Sequence, residues 1–233
     1  MSDRICIASK GKKEILLSAD DLLSCCFECG DGCEDGWPLS AWRYFTRKGL
    51  CTGGPYGDKD ACKPYEIPPC GHHKNEAYYH ECKDMADTPT CSSKCQKRYS
   101  KCYKRDKTFG EPMNKQGYAY EERFYSISGK GAYALPESVS AIQRDKLENG
   151  PVVARFTVYQ DSMHYKSGIY KYTYGDEQGR HAVKIFGWES ENGVPSWIIA
   201  NSWNSEWGEN GFFRVIRGED DCGIEKNLVA GHV

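Results

Sequence analysis

The stretches Gly179-Arg180-His181-Ala182-Val183 and Ala200-Asn201-Ser202-Trp203-Asn204 decide how this sequence is interpreted. Each lies at one end of a short run of β-branched and aromatic residues, which is typical of a β-strand. A histidine that opens one strand and an asparagine that ends a neighbouring strand can bring an imidazole and an amide together. The Asn201 carbonyl would then accept a hydrogen from one ring nitrogen of His181 and direct the other nitrogen at a nucleophile. Trp203 would shield that hydrogen bond from water.

An imidazole and amide in this arrangement suit a thiol nucleophile. Only the thiolate attacks, and an adjacent imidazolium lowers the pKa of a thiol. The two stretches do not by themselves show that His181 is catalytic, because a histidine at the start of a strand is more often structural than catalytic.

The second half of the chain has the pattern of a β-rich lobe. Four short runs predict strands of an antiparallel sheet, at residues 152–159, 181–188, 196–202 and 211–216. One amphipathic helix precedes them at residues 137–149, with Val139, Ile142 and Leu147 on its apolar stripe, and it stops at Gly150-Pro151.

The first half predicts helices followed by a long loop. Ser18 and Asp21 resemble a capping box, and the apolar spacing of Leu39, Trp42 and Phe45 predicts a second helix within residues 1–50. Residues 51–112 are rich in Gly, Pro, Cys and Lys without periodicity, so this loop needs covalent support.

Composition excludes several classes of protein. The 233 residues carry a formal net charge of −2 with 39% hydrophobic residues. This length fits one large domain or two small lobes. The charges are scattered, so we expect no nucleic-acid partner and no membrane partner.

The cysteines indicate an oxidising compartment. There are 13, and all but Cys222 lie between Cys6 and Cys102. Such a density persists in secreted or lysosomal proteins. The chain nevertheless opens without a signal peptide, which favours a natural start further upstream. A cytosolic zinc site is the alternative that removes this conflict, and the residue types and spacing permit one at Cys70, His72, His73, His80 and Cys82.

Several motifs occur in the order of one known family. They are Cys29-Gly30-Asp31-Gly32-Cys33, Thr46-Arg47-Lys48-Gly49, Cys62-Lys63-Pro64-Tyr65, Ile67-Pro68-Pro69-Cys70-Gly71-His72-His73 and Asn201-Ser202-Trp203-Asn204. Over essentially the whole chain this order resembles papain-type cysteine peptidases of the cathepsin B kind. The Pro-Pro-Cys-x-His-His string is the most specific match, since it marks the occluding loop of that group.

The resemblance implies an α+β fold with two lobes and the active-site cleft between them. Residues 1–112 would form a partial helical, disulfide-rich lobe with the occluding loop around 62–95, and residues 113–233 would form the β-rich lobe. Together they would make one papain-type C-terminal peptidase domain.

The resemblance also assigns site residues. His181 would be the general base, oriented by Asn201 and shielded by Trp203. His72 and His73 would bind the C-terminal carboxylate of a substrate, so that dipeptides are removed in addition to endopeptidase cleavage. The backbone of Gly36 would pair with the substrate residue two before the scissile bond. Asn227 would form the floor of that residue's pocket, where a neutral amide tolerates basic side chains less well than a carboxylate would.

The same resemblance implies a disulfide framework and leaves some thiols over. The implied pairs are Cys25 with Cys91, Cys26 with Cys29, Cys62 with Cys95, and Cys70 with Cys82. Cys51 and Cys102 could form a further pair. Cys6 and Cys33 would lack their partners, and Cys222 would remain a buried thiol.

One motif of the family is absent. No Gln-x-x-Cys-Gly-Ser-Cys-Trp string occurs in residues 1–233, so the nucleophile and the oxyanion Gln are missing. We therefore expect a truncated peptidase, and we expect the polypeptide of residues 1–233 to be inactive. The alternative is a non-catalytic pseudo-peptidase that holds peptides or inhibitors. We expect no cofactor or metal, a monomer, protein or peptide substrates, cystatin-type inhibitors, and a lysosomal or extracellular parent protein.

Overall fold

The computed structural model describes residues 1–71, 73, 78–82, 85–112 and 131–233. The described chain divides into two compact units, one made of residues 1–112, 131–132 and 231–233, the other of residues 133–230. The predicted lobe boundary at residues 112/113 adjoins a segment outside the described residues and stays a prediction.

The first unit contains four short helices. They are α1 (Ser2–Ala8), α2 (Ala19–Cys25), α3 (Pro38–Lys48) and α4 (Tyr103–Asp106). The predicted N-cap of α2 is present, because the Ser18 side chain accepts a hydrogen bond from the Asp21 backbone at 2.9 Å. Proline stands in the first turn of α3, and Gly49 ends this helix with a φ of 65°. Trp42 and Phe45 of α3 are fully buried.

A buried ionic cluster lies against α2. Lys63 is 4% exposed, and its Nζ lies 3.5 Å from Asp20 Oδ2 and 3.4 Å from Asp21 Oδ1. The Tyr103 hydroxyl donates to Asp21 Oδ1 at 2.7 Å. Charged groups are rarely buried unless paired and hydrogen-bonded, and the Lys63 ammonium also reaches Ser24 Oγ at 3.1 Å. This cluster therefore ties the loop after residue 51 to the helix.

Covalent bonds hold the parts of the first unit that lack periodicity. Disulfides join Cys25 to Cys91, Cys26 to Cys29, Cys62 to Cys95, and Cys70 to Cys82. These are the four pairs that the family resemblance implies. The other five cysteines are free thiols; Cys51 is buried, Cys102 is exposed, and Cys6, Cys33 and Cys222 are half-buried. The expectation of a buried Cys222 thiol holds in part, because the half-buried side chain packs against the hydrophobic core of the second unit.

The second unit is built on a sheet of seven strands among the described residues. Its elements are β1 (Ala132–Ala134), α5 (Val139–Asn149), β2 (Val152–Tyr159), α6 (Gln160–Met163), β3 (Ile169–Tyr170), β4 (Glu177–Glu191), β5 (Val194–Ala200), β6 (Phe212–Ile216), a 3-10 turn (Asp221–Gly223) and β7 (Val229–Gly231). The strand order is β1-β7-β2-β4-β5-β6-β3. Strands β2, β4, β5 and β6 pair antiparallel as predicted, whereas β3 pairs parallel to β6.

Two details differ from the sequence-based expectations. His181 is the fifth residue of β4 instead of its first, because pairing with β2 extends the strand back to Glu177. In α5, Ile142 is fully buried but Leu147 is 69% exposed. Position 147 turns away from the sheet, so the predicted apolar stripe is shorter than its three residues.

The core of this unit lies on one face of the sheet. Alternate residues of β2 are buried, beginning with Val152. They pack with buried side chains of β4, β5 and β6, among them Ile185, Trp197 and Ile199. Among the described helices, none has the length and apolar character needed to cross a bilayer.

Replacing Lys63 by Met should strongly destabilise the first unit. The substitution leaves the buried Asp20 without the Lys63 ammonium and leaves Asp21 with Lys107, at 3.7 Å, as its remaining cation. Breaking a buried ion pair costs about 3–5 kcal/mol. Urea unfolding of the chain, followed by circular dichroism, measures the loss. Lys97→Met is the control, since Lys97 is exposed. A Lys63→Met protein as stable as this control would contradict the role given to the cluster.

Cys51 and Cys102 should behave as two unlinked thiols of different reactivity. Burial, and then the Asp21 carboxylate, raise the pKa of Cys51 to about 12, so little reactive thiolate forms. An alkylating reagent under native conditions should label Cys102 quickly and Cys51 after denaturation. Peptide mass spectrometry distinguishes the two. If neither is labelled without a reductant, they form the disulfide that the sequence left open.

Candidate active site

His181 is placed by the pairing of β4 with β2. Its Cα lies opposite Phe156, a buried residue of β2. The Phe156 ring meets the imidazole edge-on, with ring centroids 6.1 Å apart and an interplanar angle of 63°. One side of the imidazole therefore rests on the apolar core, and the residue is half-buried.

Asn201 directly follows β5 and is fixed by its own backbone. Its N–H donates to the Gly211 carbonyl at 3.0 Å. Its Oδ1 accepts from the Ser202 N–H at 2.8 Å and lies 2.9 Å from His181 Nε2. The structure thus brings together the imidazole and the amide that the sequence predicts to meet.

These contacts determine the tautomer of His181. A backbone N–H only donates, so the amide atom that faces Ser202 is the oxygen. That oxygen only accepts, so Nε2 of His181 carries the hydrogen of the shared bond. In the neutral ring Nδ1 then carries the lone pair, and it is the nitrogen that can take a proton from a nucleophile.

Trp203 covers the exposed side of the imidazole. The two rings stack with centroids 5.5 Å apart and an interplanar angle of 25°. Trp207 supports Trp203 edge-on at 4.8 Å, and its indole N–H donates to the Met163 carbonyl at 3.2 Å. The His181–Asn201 bond therefore lies between Phe156 and a pair of tryptophans.

This environment alters the protonation of His181. Burial lowers the pKa of the imidazole below its ordinary value, because the charged form loses hydration, and the hydrogen bond with Asn201 offsets part of that effect. In this chain, His181 is accordingly biased toward the neutral form that acts as a base.

The remaining predicted site residues are placed as follows. Asn227 is exposed in the second unit, with a φ of 54°. Gly36 is exposed in the first unit, and its N–H donates to the side chain of Asp35. His73 also belongs to the first unit, where its Nε2 lies 3.0 Å from the Cys70 carbonyl. His72 lies outside the described residues.

The zinc alternative loses two of its ligands. Cys70 and Cys82 are joined in a disulfide, so neither offers a thiolate to a metal. Among the described residues, Cys51, Cys62 and Asp106 are close enough to share an ion. Cys62, however, is bonded to Cys95, and the Asp106 carboxylate accepts from Thr52 and Tyr99.

Phe156 is the site residue that sequence reasoning missed. The alternation of apolar and polar residues along 152–159 marks it as buried. It does not indicate that the buried ring supports a histidine of another strand, since that depends on the register between β2 and β4.

Comparison with known proteins agrees with this geometry. Residues 1–232 match the papain family of cysteine proteases. The chain is 54% identical to cathepsin B-like cysteine proteinase 1 of Ostertagia ostertagi, covering 100% of this chain and 62% of that protein. It is 51% identical to cathepsin B-like cysteine proteinase 2 of Haemonchus contortus, covering 100% of this chain and 63% of that protein.

A solved structure, proCathepsin B S9 from Trypanosoma congolense, superposes with a TM-score of 0.73 at 33% identity, covering 99% of this chain and 64% of that one. The chain therefore belongs to the papain family of cysteine proteases, and its similarity to cathepsin B-like members confirms the resemblance seen in the sequence. It spans 62% of the length of the Ostertagia relative.

The titration of His181 tests the local geometry without any catalysis. In residues 1–233 the imidazole should titrate below the usual value of about 6.5. Asn201→Ala should lower this pKa further, because it removes the bond that favours the charged ring. Gln178→Ala, at an exposed position of β4, should leave it unchanged. NMR of ring-labelled histidine measures all three.

The same titration makes a prediction for stability, with its sign set by the lowered pKa. As pH falls below about 6.5, His181 becomes protonated in the unfolded chain before it does so in the folded chain. This difference lowers the free energy of unfolding as the pH decreases. The loss ends once the pH is below the lowered pKa of folded His181. A His181 pKa above the usual value in the free chain would contradict the burial described.

Proposed function

We propose that the protein of which these residues form part is a cathepsin B-like cysteine peptidase, acting as an endopeptidase and a dipeptidyl-carboxypeptidase. The observation that carries this proposal is the His181–Asn201 hydrogen bond of 2.9 Å beneath a stacked Trp203. This arrangement holds a base whose Nδ1 is directed away from Asn201, and the family supplies the thiol that such a base serves.

In the proposed mechanism His181 takes the proton of the nucleophilic thiol and forms an imidazolium beside the thiolate. The thiolate attacks the peptide carbonyl, and His181 returns the proton to the leaving amine. A water, deprotonated by the same imidazole, then hydrolyses the acyl-enzyme. Asn201 keeps the ring in the required tautomer throughout, and Trp203 limits access of water to their bond.

No cysteine of residues 1–233 lies in the nucleophile motif of the family, so none of the described thiols is assigned as the nucleophile. Cys25 is half of a disulfide with Cys91, so its sulfur does not attack. The polypeptide of residues 1–233 alone is therefore proposed to be inactive.

The proposal keeps the predicted substrate contacts. His72 and His73 would bind the terminal carboxylate of a peptide, best when protonated, which suits an acidic lumen. Gly36 would pair with the substrate backbone once its N–H leaves Asp35. The four disulfides support a lysosomal or extracellular location. Protein substrates, cystatin-type inhibitors and a monomeric state complete the proposal.

The second candidate is a non-catalytic protein that holds peptides or inhibitors. One observation favours it: the Asp35 side chain occupies the Gly36 N–H, the group a substrate would use. The two candidates differ in whether the full-length protein turns over a substrate.

His181→Ala should abolish hydrolysis in the full-length protein. We expect kcat/KM for a fluorogenic peptide to fall by about 10³–10⁴-fold, because the thiol loses its base. Asn201→Ala should cost about 10²-fold, since the base remains but is no longer oriented. His164→Ala is the matched control, an exposed histidine of the same unit that should leave kcat/KM unchanged.

Three outcomes would contradict the proposal. Hydrolysis by residues 1–233 alone would disprove the inactivity of this polypeptide. Turnover by the His181→Ala protein would show that His181 is not the general base. A full-length protein that binds peptide inhibitors without any turnover would establish the second candidate.

A further inference from the structure

Residues 94–105, called the basic segment below, concentrate positive charge on the first unit. The segment holds six Lys or Arg residues and no Asp or Glu, so its formal charge is +6. The whole chain totals −2, which leaves −8 for all other residues. The six basic residues are Lys94, Lys97, Arg98, Lys101, Lys104 and Arg105. Charges of both signs are scattered over the chain as a whole, but this segment carries one sign only.

The fold turns every basic side chain of the segment toward solvent. All six are exposed, and the other exposed residues of the segment are Ser100 and Cys102. The remaining residues face the unit: Cys95 is bonded to Cys62, and Tyr103 is buried. The segment therefore presents an outer surface on which all the charged groups are positive.

Hydrogen bonds of the inward-facing residues fix the basic segment against the first unit. Gln96 Nε2 donates to the Asp58 carbonyl at 3.0 Å and to the Ala61 carbonyl at 2.5 Å. The Tyr99 hydroxyl donates to Asp106 Oδ1 at 2.7 Å. Together with the disulfide, these bonds hold the backbone at several points, so the segment cannot rearrange freely to spread its charges.

Two pairs of basic residues occupy regular local structure. Lys97 and Arg98 are the central residues of a turn that the Tyr99 N–H closes on the Gln96 carbonyl at 3.1 Å. The basic residues at positions 104 and 105 belong to α4. Because the backbone is already ordered at these points, binding of a ligand there costs less conformational entropy than binding to a flexible tail.

The positive charge of the segment is barely neutralised in the described part of the chain. Lys101 Nζ lies 3.9 Å from Asp106 Oδ1, and the Lys101 side chain is 63% exposed. Asp106 is already bound by Thr52 and Tyr99. The other five basic side chains form no ion pair with a described residue. Lys63 of the same unit, by contrast, lies between two buried carboxylates.

A row of exposed positive charges fits a polymer with repeated negative groups. Single-stranded nucleic acid is bound with exposed aromatic rings that stack on its bases, but Tyr99 is half-buried and Tyr103 is buried. Peripheral binding to a membrane uses apolar side chains beside the basic ones, whereas the exposed residues of this segment are Lys, Arg, Ser and Cys. A sulfated polysaccharide requires the charges alone, and it occurs outside cells, where disulfides also persist.

We propose that the basic segment binds a linear sulfated polysaccharide, with Lys97, Arg98 and Lys101 at the centre of the contact. The sulfate groups accept charge-assisted hydrogen bonds from the ammonium and guanidinium groups. Binding releases cations held by the polysaccharide, as it does for other polyanions, so the affinity falls as the salt concentration rises. The inference does not depend on the proposed peptidase activity, since the segment contains none of the candidate active-site residues.

The test measures binding of a fluorescent heparin decasaccharide to the full-length protein by fluorescence anisotropy, at about 50 and about 150 mM salt. The variant that combines Lys97→Gln, Arg98→Gln and Lys101→Gln should raise Kd by about tenfold at the higher salt concentration, because three exposed ion pairs are lost and each contributes modestly. The same variant should reduce the slope of log Kd against the logarithm of salt concentration, since fewer cations are released.

Matched variants separate a local contact from a general electrostatic effect. Lys10→Gln, Lys12→Gln and Lys13→Gln together remove the same charge from another exposed stretch of the first unit, and should change Kd by less than about twofold. A second variant, Lys104→Gln with Arg105→Gln, should also weaken binding, and it keeps the test valid if the triple variant at the turn fails to fold. Urea unfolding followed by circular dichroism verifies that each variant is folded.

Each other outcome contradicts the inference in a recognisable way. Absence of binding at the lower salt concentration would overturn it, as would an equal loss of affinity in the variant at positions 10, 12 and 13. Equal binding of a desulfated decasaccharide would remove the role of the sulfate groups. Equally tight binding of a thymidine oligonucleotide would assign the surface to nucleic acid, and binding of phosphatidylserine vesicles would assign it to a membrane. Peptide hydrolysis by the same variants reports separately on the proposed function.

Discussion

The pairing of β4 with β2 and β5 is the constraint on which the candidate site depends. In the β4–β5 register, Lys184 lies opposite Ala200 and Ile185 lies opposite Ile199. The chain that follows β5 therefore runs alongside His181, which places Asn201 and then Trp203 next to the imidazole. A bulge between Ile185 and Gly187 shifts the register further along. If β4 shifted by one residue against its neighbours on the N-terminal side of that bulge, His181 would point to the other face of the sheet. It would then be separated from both Phe156 and Asn201. The site therefore depends on the same hydrogen bonds that build the sheet.

The first unit is held by a different kind of constraint. Its loops carry few apolar side chains at regular spacing, and disulfides together with the Lys63 cluster take the place of a large core. This explains why a charged residue is buried there: Asp20 and Asp21 bind backbone N–H groups of Glu66 and Cys51, respectively, in addition to Lys63. Loop segments that are far apart in sequence are thereby joined to one helix.

A network of charged side chains joins parts of the second unit. Around Arg214, three carboxylates neutralise a guanidinium and join β4 to β6 and the loop before it. Hydrogen bonds between ionised groups are stronger than those between neutral groups, so this network contributes to holding the strands together.

The sequence by itself determined the family, the helices around Ser18 and Trp42, the main antiparallel strands and the meeting of His181 with Asn201. Local signals suffice for these, because capping residues, alternation and motif order are written along the chain. Tertiary structure alone decided the support of Phe156 beneath His181, the exposure of Leu147, and the parallel pairing of β3 with β6. Each of these depends on strand register and on the direction in which a helix packs, and residues far apart in sequence set both.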